Sequence, residues 1–426
     1  MSGQKSHRSV RLLSLVQDLN QTNIRAVRAN KESFLPSIQS IQEQSETDLA
    51  KINGSTETVF VDRALAELRC GRVVRLNGGQ RSWLIAALEC CPARTLEELQ
   101  RLSAGRLELI LSEERAEALG LDHGKAGGRI GAVALRLPPG WSREWLHQLV
   151  ATPVDPDRQP AEARGLDTQA ASSGAGTALT MVKLAHLVPA VLVWELRGAA
   201  ATEVSKQVAL GDILMVTLPQ VQAYVEATAT KLIRVGEAKV PLSDSEETRF
   251  VVFRAASSGI DHVAIVIGEI DSDTPVLVRL HSACLTGDLF GSLRCDCGEQ
   301  LRTSVQAIAD AGGGIILYLA QEGRGIGLTN KLRAYWLQDR GFDTLDANNQ
   351  LGFKDDERRY EVAAEILKML DIERVTLMTN NPAKIDALES SGITIESRKG
   401  VPATINPHNE RYMTVRAEKI GHILDE

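Results

Sequence analysis

The sequence predicts an α/β (α+β) protein, with two mixed α/β domains over residues 55–235 and 236–426 behind a short helical N-terminal extension over residues 1–54. Three observations lead there. Segments of helical and strand-like patterning alternate from Val59 onward, which implies layers of helices on sheets. The runs RFVVFRA, HVAIVIGEI and PVLVRLHS follow one another over short connections after Thr248, as strands of one mixed sheet do. The 426 residues suffice for two or three domains, each with its own core.

In the extension, Val10, Leu13, Val16 and Leu19 recur at helical spacing, so a short amphipathic helix is expected. The basic start suggests a transit peptide, but Glu32, Glu43 and Glu46 soon follow, and an arm packing on a partner subunit is the simpler reading. VDRALAELRCGR then reads as a helix with Ala64, Leu65 and Leu68 on one face and Gly71 as its stop, and VVRL as a strand before the Asn77-Gly78-Gly79 turn. TLEELQRLS is expected to be helical, LELILS a strand, and SEERAEALGL a helix capped by Ser112 and ended by Gly120. A loop is expected from Pro153 to Gly176, then a helix and strand in TALTMVKLAHLVPAVLVWEL and a closing helix in TLPQVQAYVEATATKLIRV. In the second domain GEQLRTSVQAIADAGGG reads as a helix with a long glycine stop and IILYLA as a strand covered on both faces. DDERRYEVAAEILKMLDI reads as a helix and RVTLMTN as the next strand.

Composition narrows the function. The apolar fraction of 43% and mean hydropathy of -0.10 are those of a globular protein in water. A net charge of -7 argues against sequence-independent nucleic-acid binding, which needs a basic surface. The apolar runs LVPAVLVWEL and IILYLA fall short of the roughly 20 residues that span a bilayer, so no membrane segment is expected. Cysteines grouped as for metal, with no disulfide-like framework, favour the cytoplasm.

The chemistry concentrates in HSACLTGDLFGSLRCDCG, where Cys284, Cys295 and Cys297 fall within one short polar stretch. Deprotonated thiols suit Zn²⁺, and three protein ligands leave a fourth tetrahedral position for water, the layout of a catalytic zinc. No fourth Cys or His lies close by to close the site, although His281 could in principle fold back. A redox Cys-x-Cys pair competes with this reading and leaves Cys284 without a role. Downstream, QEGRGIGLTNKLRAY passes Gly323, Gly325 and Gly327 into a helix with Lys331 and Arg333, a pattern that reads as a phosphate cradle in which Arg324 grips oxygens. Read alone, Asp355-Asp356-Glu357-Arg358 is a helix N-terminus with acids against the dipole, and Asn380-Asn381-Pro382 a cap before proline at the first helical position.

The run VRLHSACLTGDLFGSLRCDCGEQL, followed by QEGRGIGLTNKLRAY, DANNQLGF, DDER and TNNPAK, resembles GTP cyclohydrolase II, the zinc enzyme that opens the guanine ring at the entry to riboflavin synthesis. The resemblance covers about Lys239 to the C-terminus. It implies that Cys284, Cys295 and Cys297 hold one Zn²⁺ per chain and that Mg²⁺ accompanies the nucleotide phosphates. It implies nucleotide contacts from Arg279, Gln300, Glu322, Gly323, Arg324, Thr344, Thr379 and Lys384. It assigns Asp356 as proton acceptor, Arg358 as the group at the α-phosphate, described also as a nucleophile, and Tyr335 as a further polar group at the reacting centre. A homodimer is implied as well. Where this family carries a glutamate before the first zinc cysteine, the chain has Ala283. That departure keeps open a paralogue that opens a pyrimidine nucleotide such as UMP, in uracil breakdown. A non-catalytic nucleotide-binding protein is the third reading.

ALAELRCGRVV, VKLAHLVPAVLVWEL and the TLPQVQAYVEATATKLIRV stretch are similar to 3,4-dihydroxy-2-butanone 4-phosphate synthase. That family carries an acid-rich stretch after its first strand and His-Thr-Glu before a later helix. Here NGGQRSW and Gly174-Ala175-Gly176 stand in those places. Without carboxylates nothing holds a divalent ion or moves protons, so a catalytically dead scaffold is expected.

Overall fold

A computed structural model of the chain describes residues 56–121, 131–151, 163, 165–271, 273–402, 405–410 and 412–414. The amphipathic helix expected over Val10–Leu19 lies outside them. Residues Glu57–Glu426 form one unit that holds two seven-stranded sheets, here called the front and back lobes.

The front sheet is built from β1 (Val74–Asn77), β2 (Ser82–Ala87), β3 (Leu107–Ser112), β4 (Ala132–Arg136), β5 (Thr168–Ala170), β6 (Ala190–Leu196) and β7 (Leu214–Thr217), in the order β5-β4-β3-β6-β2-β1-β7. All neighbours are antiparallel except β1 and β7. Its helices are α1 (Thr56–Arg69), α2 (Ala93–Ser103), α3 (Glu113–Ala118), α4 (Arg143–Ala151), α5 (Ser173–Leu184), α6 (Gly198–Leu210) and α7 (Leu218–Thr230). The expected apolar face of α1 is the buried one, with Ala64, Leu65 and Leu68 in the core, and Ser112 caps α3 by accepting from the Arg115 N–H at 3.2 Å. β2 is buried at every position because each face of the sheet has its own apolar core.

The back sheet runs β14-β13-β11-β12-β10-β9-β8, from β8 (Leu232–Lys239), β9 (Thr248–Ala255), β10 (Asp261–Gly268), β11 (Val276–Ser282), β12 (Gly313–Leu319), β13 (Arg374–Met378) and β14 (Thr394–Lys399). β11 to β14 pair in parallel and β8, β9, β10 and β12 antiparallel, so half the sheet has the open α/β layout. Its helices are α8 (Leu285–Asp288), α9 (Cys297–Asp310), α10 (Leu328–Gln338), α11 (Thr344–Leu351), α12 (Glu361–Met369) and α13 (Pro382–Ser390). β12 sits at the centre, and Ile315, Ile316, Leu317 and Leu319 are fully buried, as the apolar run predicts. Among the described residues no helix is long and apolar enough to cross a membrane.

Four expectations need correction. The closing helix of the front lobe ends at Thr230, and LIRV opens β8 of the back sheet, where Leu232 pairs with Ala255. The loop expected through Gly176 ends earlier, because Ser172 accepts from the Ala175 N–H and starts α5 at Ser173. The glycine stop after α9 is partly strand: a Cβ on Gly313 or Gly314 would lie 2.4 or 2.3 Å from the carbonyl oxygens of Glu269 and Leu277, so β12 enters between its neighbours only without side chains. The helix expected from Asp355 begins at Glu361 instead. The Asp356 carboxylate is taken by Arg358, and Tyr360 stands at the N-cap with no side-chain cap bond.

Candidate active site

The carboxyl ends of three parallel strands converge on one cleft, the usual place for a ligand in an open α/β sheet. β11 ends at Ser282 and delivers Ala283 and Cys284. β12 ends at Leu319 and delivers Gln321 to Arg324. β13 ends at Met378 and delivers Thr379 to Lys384. Of the residues expected to act, Arg279, Gln300, Glu322, Gly323, Arg324, Tyr335, Thr344, Arg358, Thr379, Lys384 and the three cysteines all line this cleft. Asp356 stands behind Arg358 and reaches the cleft through it.

The three thiol sulfurs lie within 4.8 Å of one another, with Cys284 and Cys295 at 3.7 Å. Two sulfurs at Zn–S distances of about 2.3 Å in a tetrahedron are about 3.8 Å apart, so the spacing fits a shared zinc. Hydrogen bonds from Cys295 and Cys297, then from Lys331, hold the Cys284 thiol far below its ordinary range, while the same sharing pushes Cys295 up to about 11. Three thiols this close to one another and to the Lys331 amine favour a thiolate at Cys284, the form in which a cysteine ligates a metal. A Cβ on Gly287 would lie 2.9 Å from the Cys295 sulfur, so the chain turns under the cluster only at a glycine. His281 does not close the site. It is buried, stacks on Tyr318 at 5.5 Å, and holds Asp288 at 3.1 Å, and Asp288 in turn accepts from the Cys284 N–H at 2.9 Å. Through Asp288 the histidine therefore braces the backbone of Cys284.

Beside the thiols, Lys331 Nζ donates to Glu322 Oε1 at 2.8 Å, to Thr286 Oγ1 at 2.9 Å and to the Cys284 sulfur at 3.0 Å. Burial would lower its pKa, but the Glu322 carboxylate and the Cys284 sulfur more than offset that and keep it charged. Glu322 Oε2 also accepts from the Leu285 N–H at 2.6 Å. Glu322 thus anchors the cysteine loop as well as lining the cleft. Lys331 and Thr286 were not among the expected site residues. Lys331 carried a signal, standing four residues before Tyr335 on one face of α10, whereas Thr286 had none.

Only the first part of the glycine-rich turn expected to cradle phosphate reaches the cleft. Gly323 and Arg324 face the cleft with φ of 64° and 60°. Gly325 and Gly327 do not line it. A Cβ on Gly325 would lie 2.9 Å from the Glu357 backbone, and one on Gly327 3.1 Å from His186 of the front lobe, so these glycines serve close packing. Arg333 likewise turns to the front lobe, where it pairs with Glu89 at 2.7 Å.

On the opposite wall, Arg358 binds Asp356 through Nε at 2.8 and 3.1 Å and through Nη2. Burial would raise the Asp356 pKa, but Arg358 overcomes it and holds the carboxyl below its ordinary range. Lys384 donates to the Leu280 carbonyl at 2.7 Å, and Arg279 bridges the Met378 carbonyl and Gln300 Oε1 at 3.0 and 2.7 Å. Asn381 caps α13 by accepting from the Ala383 N–H at 3.0 Å, with Pro382 next, as the sequence predicts. Burial raises the pKa of Tyr335 above the phenol range, so its hydroxyl keeps its proton.

In the front lobe the two stretches that depart from the synthase pattern meet at Trp83. Its indole lies against Gly78 and Gly174, and a Cβ on Gly174 would stand 2.5 Å from ring carbons. The ring is 3% exposed and fills the space between them.

Comparison with known proteins agrees with the cleft. The family model for GTP cyclohydrolase II matches residues 233–400. A GTP cyclohydrolase-2 of Azospirillum brasilense is 41% identical over 372 residues, covering 85% of this chain and 94% of that one. One from Escherichia coli is 50% identical over 196 residues, 46% of this chain and all of that one. Among solved structures, RibBX of A. baumannii, described as a two-domain 3,4-dihydroxy-2-butanone 4-phosphate synthase, aligns with 81% of this chain and 99% of its own at 18% identity and a TM-score of 0.33, too distant to carry an inference. With the cleft at the strand ends and a relative matched along nearly its whole length, the chain belongs to the GTP cyclohydrolase II family of enzymes.

Proposed function

We propose that the chain is a zinc-dependent GTP cyclohydrolase II, which converts GTP into a diamino-ribosylamino-pyrimidinone 5'-phosphate with release of formate and pyrophosphate, for riboflavin biosynthesis. The observation that carries this reading is one cleft that joins three clustered thiols to the cations Arg324, Arg358 and Lys384. Bound by Cys284, Cys295 and Cys297, zinc would supply a Lewis acid and a water acidified toward neutrality.

The chain's own groups divide the rest of the work. Arg324, Arg358 and Lys384 take the oxygens of the triphosphate, since guanidinium groups bind phosphate oxygens in pairs, and Mg²⁺ comes bound to the phosphates themselves. Arg358 acts as a charge. Burial would lower its pKa, but Tyr360 and the Asp356 carboxylate outweigh this, so it stays protonated and is no nucleophile. Asp356 is a weak proton acceptor while it is paired. A phosphate that draws Arg358 away frees the carboxylate and raises its basicity, so substrate binding itself arms the acceptor. Tyr335 keeps its proton, so its hydroxyl is available as a donor to substrate beside the thiols. Arg279, Gln300, Thr344 and Thr379 complete the nucleotide wall. The front lobe, with Trp83 packed between NGG and Gly174, serves as a scaffold without synthase chemistry.

We also propose a homodimer in the cytoplasm. Exposed Leu289, Phe290 and Leu293, beside the cysteine cluster in sequence, support a subunit contact. Light scattering at the 46.3 kDa monomer mass would exclude the dimer. The test of function is incubation of the zinc-loaded protein with GTP and Mg²⁺. Formate and pyrophosphate should appear together, and no formate under any metal condition would remove this reading.

A further inference from the structure

Residues 354–360 carry the Asp356–Arg358 pair without helix or strand around it. In an irregular stretch of this kind neighbouring side chains can face opposite sides, as they do along an extended chain. Here the partners alternate. Asp356 and Arg358 bind each other, with Arg358 in the cleft. The residues between and after them turn to the front lobe. Lys183 Nζ on α5 donates to Glu357 Oε1 at 2.7 Å, and Arg359 donates to the Val225 carbonyl on α7. Both flanks of Arg358 are thus tied to the other lobe.

The stretch needs such ties. A second cavity, between the lobes, is lined by Lys183, His186, Tyr224, Glu357 and Arg359, and Gln321 and Arg358 line both it and the thiol cleft. The stretch is therefore a thin partition with open space on either side, and polar groups hold its backbone. Asn348 donates to the Lys354 and Asp355 carbonyls at 3.5 and 3.4 Å, Gln321 donates to the Arg359 carbonyl at 2.5 Å, and the Glu357 N–H donates to the Arg324 carbonyl at 3.0 Å. The Lys183–Glu357 pair is only 21% and 22% exposed. Removing either partner leaves a partly shielded charge without its counter-charge and releases the tie that holds the partition to α5.

We infer that the front lobe positions the reactive segment of the back lobe, with Lys183 acting through Glu357, and the Val225 carbonyl through Arg359, to fix where the Arg358 guanidinium stands. Lys183 is a positioning residue, on the front lobe and outside the lining of the thiol cleft. The inference rests on the reading of the cleft as the GTP site. It gives that lobe a reason to be retained.

The experiment compares wild type with Lys183→Met, Lys183→Arg and Glu357→Gln in the full chain, measuring zinc content, kcat, KM for GTP and hydrogen exchange over residues 354–360. Lys183→Met should keep its zinc, lose protection in that stretch, and lower kcat by about 10- to 100-fold with a smaller change in KM, because an ångström of misplacement costs on that scale. Lys183→Arg should restore both, and Glu357→Gln should reproduce the loss without adding to it in the double variant. Unchanged exchange and kcat in Lys183→Met would overturn the inference. If wild type releases no formate from GTP, the assigned reaction falls, while the exchange data still decide whether Lys183 holds the segment.

Discussion

The indole of Trp83 packs against Gly174 so closely that one added methyl would overlap it, at 2.5 Å from the ring. Two effects compete at Gly174. It lies in the first turn of α5, where alanine is preferred to glycine by up to about 1 kcal/mol. Forcing a methyl against a buried ring costs roughly 1–3 kcal/mol, and the ring is not a flexible tip that swings aside. Gly174→Ala should therefore destabilise the chain, and Trp83→Ala should cost about 3–5 kcal/mol by opening a cavity. Urea unfolding measures both. A stabilised Gly174→Ala would show that the ring yields. Residues 1–235 alone should form no four-carbon phosphate from ribulose 5-phosphate, and detectable product would overturn the reading of this lobe as catalytically dead.

Cys295→Ser should remove both metal and turnover. A serine hydroxyl is a far weaker ligand than a thiolate, and two remaining sulfurs do not make a zinc site of ordinary affinity. Elemental analysis of the purified variant should find well below one zinc per chain where wild type holds one. Full occupancy with normal activity would show that the cluster is not the metal site. Cys90→Ser, at a half-buried thiol outside the cluster, is the control and should keep its metal.

The back sheet and the cluster were legible in sequence because both are local. β-branched runs write strands directly, and Cys284, Cys295 and Cys297 lie within one turn-rich stretch. What could not be read depends on contacts distant in sequence. Gly327 looks like part of a phosphate loop until His186, far off in the other lobe, is seen packed on it. The stretch from Asp355 looks like a helix start because acids before an apolar run usually cap one, but Arg358, two residues on, claims the Asp356 carboxylate. Lys331 is marked only by its place on the helix after the glycine turn, four residues before Tyr335, and its contact with the Cys284 thiol depends on a partner 47 residues away.

His262 sets an acid limit on stability. It is 5% exposed, its Nδ1 accepts from the Ala320 N–H at 3.1 Å, and burial pushes its pKa down to about 4. The unfolded chain titrates near 6.5 and so binds the extra proton between these values. A depressed folded pKa stabilises fully above about 6.5, and the contribution is lost as pH falls through about 4, up to about 3 kcal/mol in total. Urea midpoints should fall over that window, and His262→Asn, which keeps an acceptor but does not titrate, should flatten the fall. An equal slope in both proteins would assign the acid sensitivity to other groups.

The substrate turns on Ala283. This residue lines the cleft next to Cys284, and its N–H continues the β11 to β12 ladder by donating to the Leu319 carbonyl at 2.8 Å. A glutamate there would offer a carboxylate to the base. Glu322 does not replace it, since Lys331, the Gly323 N–H and the Leu285 N–H already occupy its two oxygens. A hydrogen bond to a charged group is worth about 1.5–3 kcal/mol, or roughly 10- to 150-fold in rate. If the cleft reads guanine by other groups, wild type should release formate from GTP and leave UMP intact, and Ala283→Glu should shift GTP turnover by less than that factor. If the cleft has been rebuilt for a pyrimidine, GTP should be inert, UMP should lose its ring absorbance, and Ala283→Glu should raise GTP turnover from near zero. Sites that recognise a base by hydrogen bonds reject analogues by as much as about 10⁴- to 10⁵-fold, so the two cases do not overlap. The similarity to a GTP cyclohydrolase-2 over 85% of this chain and the cations Arg324, Arg358 and Lys384 lining the cleft favour the first outcome, and ring loss from UMP without formate from GTP would reverse it.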